Sequence, residues 1–189
     1  KTVIGNATPD IIGGFINNFT FKGFDLSIGL NFQIGGDVYN ANKMYFTKMN
    51  NKNRNSLANA AERFTYIDGT GANVFKDPEK LAILNRNANY ASIEGSSNLA
   101  FHSGYVEDAS FLRLNNVTFG YTFPKTWLKK AYISNLRVYA SAYNLFTITG
   151  YSGYDPEVNS ASSNPMTPGL DWGAYPKSRV FTFGIDLQF

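Results

Sequence analysis

The sequence lacks several features that would point to common functional classes. It has no cysteine and one histidine among 189 residues, so disulfides, thiolate chemistry and a histidine-rich metal site are excluded. No apolar run approaches the roughly 18 residues of a membrane-spanning helix. The net charge is only +3, and the densest basic cluster, Lys125, Lys129 and Lys130, is better interpreted as a solvated turn than as a nucleic-acid patch. We therefore expect no nucleic-acid partner.

A catalytic constellation is also missing. His102 has no partner at a spacing that metal ligation or a catalytic triad requires. The carboxylate pairs Glu107–Asp108 and Asp155 with Glu157 are adjacent or alternate, whereas the two carboxylates of a glycosidase face each other across a cleft. The sequence therefore predicts no enzyme activity, no metal site and no cofactor.

What the sequence does contain is a repeated alternation of large apolar and polar residues. In the last nine residues every second position is apolar, at Phe181, Phe183, Ile185, Leu187 and Phe189. Strict alternation predicts a strand with one apolar and one polar face. Five such segments predict strands at approximately residues 14–22, 24–34, 111–123, 133–148 and 179–189. Each meets or nearly meets the minimum of roughly 9–11 residues that a tilted membrane strand needs, so we predict an all-β fold.

The connections between these strands alternate in length. Lys22–Gly23 is a tight turn and Pro124–Tyr132 is short, but the loops at approximately 35–110 and 150–178 are long. Structureless loops of that length argue against a compact soluble domain. Outer-membrane barrels combine short periplasmic turns with long extracellular loops. We therefore predict a transmembrane antiparallel β-barrel with both long loops outside the cell.

Local structure is expected inside the first long loop. Ser56–Tyr66 predicts a helix, capped by Asn55 or Ser56. A second helix is predicted from Pro78 to Leu84, because Asp77 suits the cap position and proline suits the first helical position.

Several longer motifs resemble one family. They are Ile4–Asp10 (IGNATPD), Lys22–Leu26 (KGFDL), Ser110–Tyr121 (SFLRLNNVTFGY), Tyr143–Tyr151 (YNLFTITGY), Gly153–Glu157 (GYDPE) and Tyr175–Arg179 (YPKSR). In combination they are similar to the SusC/RagA family of TonB-linked, or TonB-dependent, outer-membrane transporters. The resemblance covers almost the whole chain except residues 50–102. One departure is Gly5-Asn6-Ala7, where the family usually has Gly-Asn-Pro.

The resemblance implies a fold, a location and partners. It implies a 22-stranded barrel with a plug in its lumen, in the outer membrane of a Gram-negative, Bacteroidetes-like bacterium. Residues 1–189 would be the carboxy-terminal part, with its last five strands, and the plug and TonB box would be absent. A surface lipoprotein similar to SusD would lid the barrel, and TonB would energise import of an oligosaccharide or a peptide. Which of these two cargoes is taken stays open.

Two groups of residues are candidates for function. Tyr151, Tyr154, Trp172 and Tyr175, with Asp155, would contact a glycan or a peptide through aromatic faces and hydrogen bonds. The alternative is that these aromatic residues pack the loop on the barrel rim. Phe183, Ile185, Leu187 and the final Phe189 resemble the signal that the barrel assembly machinery recognises, and they would also contact outer-membrane lipid.

The polar faces of the strands should look into the lumen or onto the plug. The residues concerned are Asp25, Gln33, Arg137, Asp186 and Gln188. Because unpaired buried charges are costly, we expect them to pair with plug residues outside this chain. Their alanine variants should then assemble normally while gating or leak changes.

Two other functional classes stay open at this point. One is an outer-membrane barrel with a structural or adhesive role and no import. The other is a soluble all-β binding module that covers its apolar faces by packing one sheet on another.

Overall fold

A computed structural model describes residues 2–48, 53, 55–90, 101–160 and 166–189. Its strands are β1 (Ile11–Phe21), β2 (Phe24–Ile34), β3 (Asp37–Asn40), β4 (Val106–Asp108), β5 (Phe111–Thr122), β6 (Asn135–Thr149), β7 (Leu170–Asp171) and β8 (Val180–Gln188). Its α-helices are α1 (Ala41–Thr47), α2 (Pro78–Leu84) and α3 (Lys125–Leu128). Strand thus predominates strongly over helix in the described residues, which confirms the predicted all-β class at that level.

None of the helices in the described ranges is long and apolar enough to cross a membrane.

Five long strands form one antiparallel sheet in the order β1-β2-β5-β6-β8. The β1–β2 hairpin closes through Lys22 and Gly23, which both have positive φ (47° and 89°), as a two-residue turn of the primed type requires. The register places Ile11 opposite Ile34, Gln33 opposite Phe111, and Phe111 opposite Thr149. The first loop (residues 35–110) and the second loop (residues 150–179) therefore leave the same end of the sheet. Within the described residues the sheet is open, with β1 and β8 at its edges.

One face of this sheet is a continuous apolar surface. A single row across the five strands consists of Phe19, Leu26, Phe119, Ala140 and Phe183. The next row consists of Phe21, Phe24, Tyr121, Val138 and Ile185. Many of these side chains are exposed, Phe183 by 82%. The alternation read from the sequence therefore places its apolar residues together on one face.

A β-bulge at Asn115 keeps β5 in phase with that face. Leu114 lies opposite Leu30, but the next paired residue, Asn116, lies opposite Gly29. Asn115 is therefore the extra residue that a bulge inserts. Because of it, Leu114 and Val117 point to the same face although one number is even and the other is odd. The sequence prediction described the alternation only after this point.

The strand limits differ from the predicted ones by a few residues. The largest difference is in β1, which begins at Ile11 rather than near residue 14. Helix α2 has the predicted limits, and the Asp77 carboxylate accepts from the Lys80 backbone N–H at 3.1 Å. The predicted helix at 56–66 is wrong. Only Ala58–Glu62 forms a short 3₁₀ turn, because Arg63 is extended (φ −85°, ψ 152°) and the Phe64 N–H donates to Tyr90 instead.

A second, three-stranded sheet joins the two loops in the order β4-β3-β7. Strand β3 pairs with β4 through Asp37 and Asp108, and runs parallel to β7 through Tyr39 and Leu170. A small core of Val38, Ala109 and Tyr151 lies beside it. This sheet could not be predicted from the sequence, because strands of two to four residues are too short to show a period.

Candidate functional site

Asp171 holds the two loops together. Its carboxylate is 1% exposed. It accepts a hydrogen bond from the Tyr151 hydroxyl at 2.6 Å and another from the Asn42 side-chain amide at 2.9 Å. Asn42 belongs to the first loop, and its side-chain oxygen Oδ1 accepts from the Gly173 backbone N–H at 2.8 Å. Together with the β3–β7 pairing, these bonds make the loops one unit, which we call the loop junction.

Glu107 forms a second connection between the loops. One of its carboxylate oxygens lies 2.9 Å from Lys43 Nζ and accepts from Ser152 Oγ at 2.8 Å. Its other oxygen accepts from the Ser152 backbone N–H at 2.8 Å. Burial alone would raise the pKa of Glu107, but the bonds from Lys43 and Ser152 outweigh it and hold that pKa below the ordinary value. Burial would lower the pKa of Lys43, but its hydrogen bond and ion pair with Glu107 outweigh burial and raise that pKa.

Arg113 and Asp155 fasten the second loop to the main sheet. Arg113, on β5, is 2% exposed, and its Nη2 lies 2.5 Å from Asp155 Oδ1. Asp155 also accepts the backbone N–H groups of Glu157 at 3.0 Å and Lys177 at 3.3 Å. Burial would raise the pKa of Asp155, yet the Arg113 bond and these N–H donors keep it below its usual value.

A cleft of about 990 Å³ opens between the two loops beside these connections. The first loop contributes Asn42, Lys43, Phe46 and Leu57, and the second loop contributes Ser152, Tyr154, Tyr175 and Pro176 among others. The rings of Tyr154 and Tyr175 are 82% and 86% exposed. Among the described lining residues Lys43 is the one with a formal charge, and Glu107 pairs with it. The cleft is therefore apolar and aromatic with neutral polar groups around it, as small-ligand sites are.

The structure separates the predicted contact residues into two groups. Tyr154 and Tyr175 line the cleft, and Trp172 lies near it, half-exposed, with its ring 5.7 Å from that of Tyr45. Tyr151 and Asp155 depart from the prediction because both are buried, and their polar atoms are used by Asp171 and Arg113. For these two residues the alternative of packing the loop describes their positions better.

The charged residues on the polar face pair with one another across strands. Arg137 reaches Asp25 at 2.7 and 3.0 Å and Asp186 at 3.2 Å. Asp25 and Arg137 lie on strands separated by β5, and Gly120 of β5 lies between them. A Cβ at Gly120 would lie 2.6 Å from Asp25 Oδ1, so glycine is what lets the two side chains meet. These three charges therefore have partners within the sheet, and their expected pairing with plug residues stays a prediction.

The remaining predicted residues are located as follows. The Gln33 amide donates to the Gly35 carbonyl at 3.3 Å, at the loop end of the sheet. Gln188 pairs with Asn135 at the opposite end. Phe183, Ile185, Leu187 and Phe189 are all exposed. Their roles in facing the lumen and in assembly stay predictions.

The residues that connect the loops could not be predicted from the sequence. Asn42, Lys43 and Glu107 were not predicted as part of a site, because their partners lie in a segment more than 40 residues away. A buried carboxylate and its distant donors leave no local pattern. The exposed aromatic residues of the second loop were the signal that could be read.

Several known proteins are similar to the chain in sequence. No family model matches it. TonB-dependent receptor P3 of Formosa agariphila is 31% identical over 193 residues, and TonB-dependent receptor P39 of the same species is 32% identical over 194. The TonB-dependent receptor SusC of Bacteroides thetaiotaomicron is 29% identical over 190 residues. Each match covers 100% of this chain but only 16–17% of the relative.

Solved structures of one transport system have a similar fold. The structure of the RagAB peptide transporter matches with a TM-score of 0.75 at 25% identity, over 99% of this chain and 18% of that one. The open-open state of the RagAB peptide importer matches with a TM-score of 0.71 at 26% identity, over 97% of this chain and 17% of that one.

These matches identify the class. The chain is related along its whole length to TonB-dependent receptors, which are outer-membrane proteins of Gram-negative bacteria. SusC and the RagAB system are among the matches, so the predicted resemblance to the SusC/RagA family is confirmed. The matches are receptors and transporters rather than enzymes, which confirms the prediction that this chain is not an enzyme. The chain spans about a sixth of the length of these relatives.

Proposed function

We propose that this chain forms five adjacent strands and two extracellular loops of a TonB-dependent importer of nutrient oligomers. The observation that carries the proposal is the apolar face. It continues across all five strands, while both long loops leave one end of the sheet. A bilayer covers such a face, and outer-membrane barrels place their long loops at one end. The relation to TonB-dependent receptors over the full chain supports the same function.

The finer features of the proposal follow the family resemblance. The strands belong to a 22-stranded barrel with a plug, energised by TonB and covered by a SusD-like lipoprotein. The cargo is an oligosaccharide or a peptide. Support for a peptide comes from the RagAB importer, and support for cooperation between loops comes from the loop junction. In this arrangement the cleft faces the cell exterior, where cargo arrives.

The exposed apolar residues disfavour a soluble binding module. Phe181, Phe183 and Ile185 are 62–82% exposed, and a water-soluble sheet would need a second layer over that face. Extraction of membranes with carbonate distinguishes the two. A barrel segment stays in the membrane fraction, and a soluble module is released from it.

The test is to purify the native polypeptide that contains these residues from outer membranes in mild detergent. We expect an intact mass several-fold above the 21.0 kDa of this chain, a co-purifying lipoprotein, and uptake of oligomers that stops when TonB is deleted. A membrane-embedded polypeptide whose loss leaves oligomer uptake unchanged would instead indicate a structural or adhesive barrel.

A further inference from the structure

We propose that the cleft between the two loops binds an uncharged oligosaccharide, and that Glu107 determines this preference by neutralising Lys43. The inference rests on the proposed import function and adds the place, the chemical class of the ligand and a specificity-determining residue.

Two exposed tyrosine rings in the cleft favour a sugar ligand. Tyr154 and Tyr175 belong to one loop, line the same cleft and are more than four-fifths exposed. Exposed aromatic rings in a concave site are unusual unless a ligand covers them. A sugar ring has an apolar C–H face that packs on an aromatic ring and a rim of hydroxyl groups that needs polar partners. The hydroxyl groups of the exposed Tyr154 and Tyr175 side chains can supply such partners.

The charge of the cleft favours an uncharged ligand. Lys43 lines it, but its ammonium group is 2.9 Å from Glu107. Glu107 is in turn fixed by the Ser152 hydroxyl and backbone N–H. An anionic ligand would have to compete with this carboxylate for Lys43, and a cationic ligand would meet a carboxylate that is already paired. An uncharged ligand can bind without breaking the ion pair between Lys43 and Glu107.

The backbone around the cleft argues against a peptide. Peptides often bind by adding a strand to an open sheet edge. Strand β3, which contributes Asn40 to the cleft, is the central strand of its sheet and is paired on both sides. Its hydrogen-bonding groups are therefore not available as an edge. The volume of about 990 Å³ is at the upper end for small-ligand sites, which leaves room for a short oligomer.

The experiment uses the full-length transporter, purified in mild detergent with any bound lipoprotein. Isothermal titration calorimetry measures binding of neutral gluco- and manno-oligosaccharides of several linkages, of an oligogalacturonate, and of a mixture of unmodified oligopeptides. Three variants are compared: the Tyr154→Ala/Tyr175→Ala pair, Glu107→Gln, and the Lys43→Gln/Glu107→Gln pair. The control is Tyr132→Ala, which removes an exposed tyrosine at the opposite end of the sheet.

We expect at least one neutral oligosaccharide to bind. The tyrosine pair should weaken that binding by about tenfold or more, which is roughly 1.4 kcal/mol, whereas Tyr132→Ala leaves it unchanged. Glu107→Gln should gain binding of the oligogalacturonate, because Lys43 then has no competing anion. The Lys43→Gln/Glu107→Gln pair should lose this gain again, which separates a charge effect from a change in loop structure.

Other outcomes overturn the inference in distinguishable ways. Peptide binding that depends on both tyrosines would overturn the ligand class but leave import in place. TonB-dependent uptake of oligosaccharides with unchanged binding in the tyrosine pair would overturn the cleft as the site. If the wild-type protein shows no TonB-dependent uptake at all, the proposed function itself is overturned, and the inference with it.

Discussion

Asp171 is a buried carboxylate whose described hydrogen-bond donors, Tyr151 and Asn42, are neutral and lie on different loops. A buried acceptor that loses a donor carries its desolvation cost without compensation. Each of these two hydrogen bonds should therefore contribute measurably to the loop junction.

Changing Tyr151→Phe removes one hydroxyl and little else. We expect it to destabilise the loop junction by about 1–3 kcal/mol, because Asp171 is left with one donor. Hydrogen exchange of the peptides that contain β3 and β7 measures the effect. Tyr154→Phe is the matched control and should change nothing, since its exposed side chain has no comparable role. Equal exchange in both variants would contradict the role given to Asp171.

The loops should come apart in acid. The folded-state pKa values of Glu107 and Asp155 lie below their ordinary values of 4.5 and 3.8. Groups of this kind stabilise the folded state fully above their ordinary pKa, and the stabilisation is lost as the pH falls through the lowered folded value. Hydrogen-exchange protection around residues 150–157 should therefore be constant from neutral pH to about pH 5 and fall below about pH 4. Glu107→Gln should reduce this pH dependence.

Gly120 permits the ion pair between Asp25 and Arg137. We expect Gly120→Ala to cost about 1–2 kcal/mol, since the added Cβ displaces a partly exposed pair. Arg137→Ala should cost a similar amount, and the double variant should cost little more than either one. Urea unfolding of the barrel followed by a shift in gel mobility gives the three values. Strict additivity would mean that Gly120 acts independently of the pair.

From the sequence, the aromatic residues of the second loop could be found, but the exposed ones could not be told from the buried ones. Tyr151 and Tyr154 are three positions apart in one loop and look alike in sequence, yet one is 5% and the other 82% exposed. What separates them is the distant residue Asp171. The candidate site could therefore be assigned to a loop, but its individual contacts needed the fold.

At the scale of elements, the bulge at Asn115 decides which face each half of β5 presents. A one-residue change of phase moves a strand's whole apolar set to the opposite face. Before the bulge, Leu112 and Leu114 lie on the apolar face while Arg113 lies on the other, where Asp155 meets it.

Deletion of Asn115 should prevent assembly. It would move Arg113 to the face proposed to contact lipid and both leucines to the polar face. We expect loss of the protein from the outer-membrane fraction, measured by immunoblot and by heat-dependent gel mobility. The control is deletion of Gly69, an exposed turn residue at which an added Cβ would have no atom within 4 Å. This control should assemble normally.

The long strands could be predicted because two-residue periodicity over nine to fifteen residues is a strong signal. The short strands could not, because β7 has only two residues and is defined by pairing with β3. The predicted helix at 56–66 is wrong for a similar reason, because pairing with a distant segment decides the structure there. Its composition favoured a helix, but the backbone at Arg63 pairs with Tyr90 instead.

At the scale of the whole molecule, the apolar face gives the clearest test of membrane insertion. Phe183 and Thr182 are neighbours on β8 and point to opposite faces. Phe183→Asp should reduce folding into the outer membrane, since a charge on the lipid face of a barrel is unfavourable, by up to about 2–4 kcal/mol for Lys or Arg and by less for Asp. Thr182→Asp, with the same new charge on the polar face, should assemble. Equal behaviour of the two variants in a membrane-folding assay would contradict a lipid-covered face.

The loop junction has a consequence for the order in which the molecule forms. The bond between Asn42 and Asp171 joins residues 129 positions apart, whereas the β1–β2 hairpin closes through a two-residue turn. Contacts between distant residues form late, because chain entropy must be lost before they can be made. The cleft is therefore among the last features to appear. A chain arrested before its two loops meet would have the β1–β2 hairpin but not the cleft.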